Sequence, residues 1–363
     1  MASKSVSLRK AQVPLSCHFC NEQAVHWKCE ECDVFMCKPC KEKIHQRLKS
    51  AQDHEIVCVA AVFKDNRPKR EVESEVITSV FNTYTTTVPV INSLLCSGDY
   101  LVYFVQNKTE ENAVFVKGKM LKSSIRILQT LQKRIFDIAV NEEGEIYFKE
   151  MIDNNCVCIL TNSGEIKTVV NTSPMRPLSL HVNKDNSLIV GLKEQGPSFP
   201  VTDFSVRQVI IFDNEYKRKV TLETDTKGRK LFSYPARIET DSKNILYVAD
   251  RMRADLSGRI VAVDVNGRLK FTYNGNPNLQ TFLPHGITIT SSDNIILSDA
   301  KNNALHILNP RGELLGLHFV DKEYKIERPH SLCIDNEGYL LIGNAQFDGD
   351  AKIYVTTIAE NLM

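Results

Sequence analysis

The chain has 363 residues, 42% of them hydrophobic and 25% charged, a composition suited to about two globular domains. Its formal net charge of +1 provides no global field for nucleic acid or an anionic membrane. No apolar run approaches the roughly 18 residues of a membrane helix, and residues 1–16 lack the apolar core of a signal peptide, so neither a membrane span nor a secretory route is expected. The charge is uneven: residues 1–70 carry 13 Lys+Arg against 8 Asp+Glu, and the remainder carries 32 against 36. The expected location is the cytoplasm, with the nucleus as the alternative.

Residues 17–54 hold Cys17, Cys20, Cys29, Cys32, Cys37, Cys40, His45 and His54. They form three C-x2-C pairs and one H-x8-H pair. A structural Zn²⁺ takes four Cys or His ligands in a tetrahedron, so eight ligands match two ions with no position left for a catalytic water. Two structural zinc ions are therefore the expected cofactors. Without a secretory signal, clustered Cys-x2-Cys pairs read as metal ligands in a reducing compartment and not as a disulfide framework. Cys58, Cys96, Cys156, Cys158 and Cys333 lie scattered in apolar segments and read as inert core thiols. The segment from 17 to 58 has too few apolar residues for a core of its own, so metal must help hold it. Val25, Trp27, Val34, Phe35, Met36, Ile44, Leu48, Ile56 and Val57 offer only a thin layer around the ions, and residues 38–50 have helical character that would carry His45.

The pairs Cys17-His-Phe-Cys20, Cys29-Glu-Glu-Cys32 and Cys37-Lys-Pro-Cys40, with His45 and Asp53-His54-Glu55, resemble the B-box zinc finger of the tripartite-motif family. The resemblance implies interleaved sites: one ion on Cys17, Cys20, Cys37 and Cys40, the other on Cys29, Cys32, His45 and His54. His18 and His26 fall outside the pattern and read as surface residues. In that family a RING usually precedes the B-box and a coiled coil follows it. Sixteen residues before Cys17 are too few for a RING, and no heptad repeat is sustained after His54. Autonomous ubiquitin-ligase activity is therefore not expected. The domain boundaries read as a zinc finger over 12–58, a polar linker over 59–75 broken by Pro68, and a third segment over 76–363.

From residue 76 onward, short apolar strands alternate with turns rich in Asp, Asn and Gly, a mainly β pattern. A strand–turn–strand phrase recurs at Phe136, Leu178, Ala236, Gly286 and Ser331, with a weaker copy before it. The second strands end at Phe104, Phe148, Val190, Val248, Leu297 and Ile342. These spacings of roughly 40–60 residues suit a six-bladed β-propeller, with an insertion at residues 194–205 in the longest copy. The last copy stops after its third strand, leaving residues 77–88 to supply the fourth and remove a sheet edge. The repeats built on Pro235-Ala-Arg-Ile, Pro284-His-Gly-Ile and Pro329-His-Ser-Leu resemble NHL repeats.

Asp250, Asp299 and Asn344 occupy equivalent positions after the second strands. Two roles fit: converging on a central metal, as in propeller hydrolases, or capping nearby backbone N–H groups, which is preferred. His285 and His330 follow the prolines that begin blades and read as strand-start residues. Arg237, Arg251, Arg253 and Arg259 share one blade and could form a basic patch, but the propeller region is slightly acidic, so RNA binding is not favoured. The expected function is a zinc-binding adaptor, not an enzyme, that recognises a protein partner through its propeller. The alternatives are an accessory part of a ubiquitin ligase with the RING supplied in trans, an RNA-binding regulator and, last, a metal-dependent hydrolase.

Overall fold

Five of the six blades share the same local chemistry at their first turn. After the first strand an Asp, Asn or Thr side chain accepts hydrogen bonds from backbone N–H groups two to four residues ahead. Asn183 takes Asp185 N and Ser187 N, Asp241 takes Lys243 N and Ile245 N, and Asp335 takes Glu337 N and Tyr339 N, all at 2.8–3.1 Å. The turn then needs a left-handed residue, supplied by Gly144, Asn186, Asn244, Asp293 and Gly338 at φ between +57° and +88°. A chain so punctuated folds back as antiparallel strands.

The computed structural model describes residues 17–20, 25–29, 31–32, 34–43, 45, 54, 56–58, 76–106, 113–150, 155–346 and 348–362. The chain divides into two compact units, Met1–Val72 and Glu73–Met363. The linker expected over 59–75 lies outside the described residues, as do Ile44, Leu48, Asp53 and Glu55. Among the described residues no helix is long and apolar enough to cross a membrane.

The second unit is a six-bladed propeller of four-stranded antiparallel sheets. The inner strands are Ser93–Ser97, Ile135–Val140, Arg176–Val182, Pro235–Thr240, Pro284–Ile289 and Pro329–Ile334, for blades one to six in order. Each blade but the last is continuous in sequence. The sixth takes its outer strand from the start of the unit: Ile77–Thr85 pairs antiparallel with Lys352–Ile358. The insertion at 194–205 forms the long loop that carries Phe204, 92% exposed.

An apolar cluster fills each of the six blade junctions. Val190 and Ile210 pack on Tyr147 and Ile159 between blades two and three. Leu341 and Ile353 pack on Leu94 and Phe104 between blades six and one. This last cluster closes the ring, with Ser331 Oγ donating to the Ile91 carbonyl at 2.9 Å. The junction also brings two of the scattered cysteines together. Cys96 Sγ lies 2.8 Å from Cys333 Sγ, a contact between residues 237 positions apart.

Ile77 is fully buried at the start of the closing strand, in the cluster between blades five and six. Ile77→Ala is expected to lower propeller stability by about 3 kcal/mol. Urea unfolding should show a shifted midpoint with an unchanged slope.

Candidate functional site

Two places gather chemistry-bearing side chains. The first lies in the N-terminal unit, where Trp27–Cys29, Val34–Met36 and Ile56–Cys58 form a three-stranded sheet with Trp27–Cys29 in the centre. Cys29 ends the central strand, and Cys37 follows Met36 directly. Lys38–Lys43 is a short helix that carries Cys40. Lys41 Nζ sits 3.5 Å from the centre of the Trp27 ring. The buried apolar set here is Met36 together with Cys17, Cys29, Cys37 and Cys40, so the thiols themselves make up most of the core.

Two groups of possible ligands form. Cys17, Cys20, Cys37 and Cys40 bring their sulfurs within 4.8 Å of one another, and so do the ligand atoms of Cys29, Cys32, His45 and His54. Consecutive pairs thus alternate between the groups and tie the two turns, the helix and the residues beyond it into one unit. The dimensions fit a four-coordinate ion. Cys20 Sγ to Cys37 Sγ is 3.9 Å, against about 3.8 Å for the edge of a tetrahedron with metal–sulfur distances of ~2.3 Å. His54 Nδ1 lies 3.5 Å from Cys29 Sγ and 3.1 Å from Cys32 Sγ. His45 is 1% exposed, yet neither ring nitrogen meets a hydrogen-bond partner among the described residues. Such an orphaned buried imidazole costs free energy unless a metal takes it. Burial, and then the neighbouring His54, hold its pKa below the ordinary range, so the ring is neutral and fit to ligate. His18 and His26 are exposed and belong to neither group.

The groups differ in shelter. Cys17, Cys37 and Cys40 are buried, whereas Cys32 is exposed. With both groups loaded, a chelator is expected to strip the Cys29, Cys32, His45, His54 group first. Mass spectrometry of the intact chain during the titration should show a one-ion intermediate, and His45→Ala should abolish the early step.

The second place is the propeller channel. Ser93, Asp137, Ser179, Arg237, Gly286 and Ser331 hold equivalent register positions on the six inner strands. Arg237, on blade four, reaches across the ring. Its Nη2 donates to the Asn92 carbonyl before blade one at 2.6 Å, and its Nη1 lies 3.3 Å from Asp137 Oδ1 on blade two. Asp137 also accepts from Ser93 Oγ and Leu180 N, both at 3.0 Å. Burial raises its pKa, opposed by Arg237 and these donors. A cavity of about 240 Å³ is lined by residues of all six inner strands, Arg237, Asp137, His181, Glu239, Cys96 and Cys333 among them.

His181 Nδ1 and Glu239 Oε2 face each other there at 3.5 Å, and His181 Nε2 contacts Thr240 Oγ1 at 2.8 Å. Burial, and then the charge of Asp137, push Glu239 up to about 8, while burial pushes His181 down to about 4. Near neutrality a protonated carboxyl therefore faces a neutral imidazole.

The turn residues of the propeller are fully committed. Asp250 accepts from Ser233 N, Tyr234 N and Arg259 Nε at 2.6–2.9 Å. Asp299 accepts from Leu283 N, Lys301 N and Asn302 Nδ2 at 2.7–3.3 Å, and Asn344 bridges the Glu327 carbonyl and Lys352 N. Each caps its own loop, and none belongs to a metal-holding group among the described residues. The basic patch does not form as a surface. Arg259 pairs with Asp250 and Arg237 with Asp137, leaving Arg253 exposed and Arg251 half-buried over the Tyr234 ring. The channel set of Arg237, Asp137, His181 and Glu239 was missed as a site because its members lie on three different blades. The available sign was charge at inner-strand positions where other blades carry Ser or Gly.

No family model and no curated protein matches the chain. Solved structures do share the fold. Virginiamycin B lyase from Staphylococcus aureus superposes with a TM-score of 0.51 at 13% identity, over 77% of this chain and 99% of its own. The PQQ-bound aldose sugar dehydrogenase from Streptomyces coelicolor superposes with 0.56 at 12% identity, over 78% and 97%. A luciferin-regenerating enzyme gives 0.52 at 13%, over 76% and 94%. At these identities the likeness establishes the propeller and nothing finer. It also corrects one expectation. The chain was expected not to be an enzyme, yet solved structures that share its propeller are enzymes, so the fold gives no ground for excluding catalysis.

The channel pair predicts a pH dependence. Relative to an unfolded value near 4.3, the raised Glu239 costs stability progressively as pH climbs from about 4.3 to 8. The depressed His181 works oppositely, costing stability as pH falls from about 6.5 to 4. The two slopes oppose each other below pH 6.5, and only the Glu239 slope remains above it. Propeller stability should fall by up to about 2 kcal/mol between pH 6.5 and 8, and Glu239→Gln should flatten that decline in urea titrations.

Proposed function

We propose that the chain is a zinc-binding scaffold that recognises a protein partner through its propeller, with a B-box-like finger and NHL-like blades related in plan to tripartite-motif proteins. The observation that carries the recognition role is a groove at the junction of blades six and one. It is lined by Phe81, Tyr84, Tyr100, Met120, Leu121 and Tyr339, with a volume of about 440 Å³. Phe81 is 68% exposed and stacks on Tyr339 at a centroid distance of 5.4 Å. Apolar side chains displayed together at the surface are the usual mark of an interaction site. Asp335 and Glu337 line the same groove, with Glu337 accepting from Tyr100 OH at 2.8 Å, so an apolar segment flanked by basic residues suits it.

Zinc is the metal assigned to the N-terminal groups because their donor sets, four thiolates in one and two thiolates with two imidazoles in the other, match structural zinc. Such ions stabilise the unit, and their completed ligand sets do not activate water. The finger would serve as a second docking surface, which also accommodates a ubiquitin ligase assembled with a RING from another chain. RNA recognition is disfavoured because Arg237 and Arg259 are engaged by carboxylates.

The test is affinity capture with the full chain and with Phe81→Ala. A protein retained by the wild type should be lost by the variant, with about a tenfold or greater loss of affinity for a buried aromatic anchor. Retention unchanged by the substitution, or abolished by RNase, would remove the support for this groove.

A further inference from the structure

The beginnings of the inner strands form one mouth of the propeller channel, and its side chains carry an excess of positive charge. His285 and His330 occupy the second positions of the inner strands of blades five and six, and their rings lie with centroids 4.0 Å apart and planes tilted by 32°. Arg251 ends the second strand of blade four and lies over the Tyr234 ring, 6.0 Å from its centre. Arg237 marks the inner limit, where its guanidinium spans from blade four to Asn92 and Asp137.

The negative groups nearby are already engaged. Asp250, adjacent to Arg251, is bound to Arg259, and Asp137 is bound to Arg237. Arg251 has no carboxylate partner among the described residues. Its Nε is buried and meets no hydrogen-bond acceptor, and the same holds for His330 Nδ1. A sheltered guanidinium without a counter-charge is costly, and a low-polarity cleft of one sign concentrates its field on whatever enters. The electrostatics agree with the geometry. Burial, and then Arg237, Arg251 and Arg328, push His330 down to about 3. Burial, then His330 and the same arginines, hold His285 well below the ordinary range. Burial, and then Arg237, bring Arg251 down to about 10. Both imidazoles are thus neutral near pH 7, and each keeps an N–H to donate while the guanidinium supplies the charge. Arg251, His285 and His330 are all part-exposed, so the mouth is open to solvent.

We propose that this mouth is a binding site for a compact oxyanion, a phosphate or carboxylate group, held by the Arg251 guanidinium and by the imidazole of His330, with the His285 ring packed against that of His330. The site is separate from the groove containing Phe81 and does not depend on the scaffold reading. A guanidinium and neutral imidazole N–H donors at one channel mouth suit planar or tetrahedral oxyanions better than halides.

The full-length protein can be melted in inorganic phosphate, in succinate and in sodium chloride at matched ionic strength. Phosphate or succinate should raise the propeller melting temperature above the chloride control, and which of the two does so identifies the preferred group. Arg251→Gln should weaken the half-saturating concentration by about tenfold or more, since a hydrogen bond to a charged group is lost. Arg253→Gln, which removes an exposed charge two residues away, should leave binding unchanged. Arg251→Gln should also melt no lower than the wild type in chloride, because an uncompensated charge is removed. The proposal is overturned if neither anion exceeds chloride, if the shift survives Arg251→Gln, or if Arg253→Gln abolishes it equally. Should Arg251→Gln fail to fold, His330→Asn takes its place with the same expected loss, and an undiminished shift in that variant overturns the proposal.

Discussion

A ring of sheets is stable only if its last blade meets its first. Here that constraint is met by antiparallel pairing of Ile77–Thr85 with Lys352–Ile358, which leaves the sixth blade with strands from both ends of the unit. Everything in the channel depends on it. Leu94, Phe104, Leu341 and Ile353 can share one cluster only in a closed ring, and Arg237 can reach Asn92 only if blade one stands opposite blade four. An open ring would also expose an unpaired strand edge, a template for aggregation.

The two units are stabilised by different physics. The propeller buries large apolar side chains at every junction, including Tyr103, Phe104, Phe148 and Tyr247. The N-terminal unit buries Met36 and a set of thiols. Thiols gathered within 4.8 Å of one another and a buried imidazole without partners among the described residues are poor core material unless ions draw them together. Metal affinity and folding are then one equilibrium, as for other small metal-held domains.

Much of the fold was legible in the residues because its causes are local. The Asx turns at Asn183, Asp241 and Asp335, and the left-handed Gly and Asn that follow, repeat at blade spacing. The closing strand was legible through a deficit, a last repeat one strand short. The two groups of candidate metal ligands were legible because the C-x2-C spacing is a short-range signal. What escaped depends on distance through the ring. Asp137 and Arg237 are 100 positions apart, and Cys96 and Cys333 are 237 apart, and no periodicity announces such pairs. The separate placements of the four arginines of blade four were illegible for the same reason. Neighbours in sequence, they divide among the channel, a loop cap and the solvent, because strand register and not proximity along the chain decides where each points.

The central claim is a two-unit molecule whose N-terminal unit is built around two completed zinc sites. Zinc K-edge absorption on the purified full chain tests it most directly. One S4 and one S2N2 site average to about three sulfurs and one nitrogen per zinc, with about two zinc ions per chain. That result would support the account. Fewer than two ions, or a shell rich in oxygen from water or carboxylate, would contradict it.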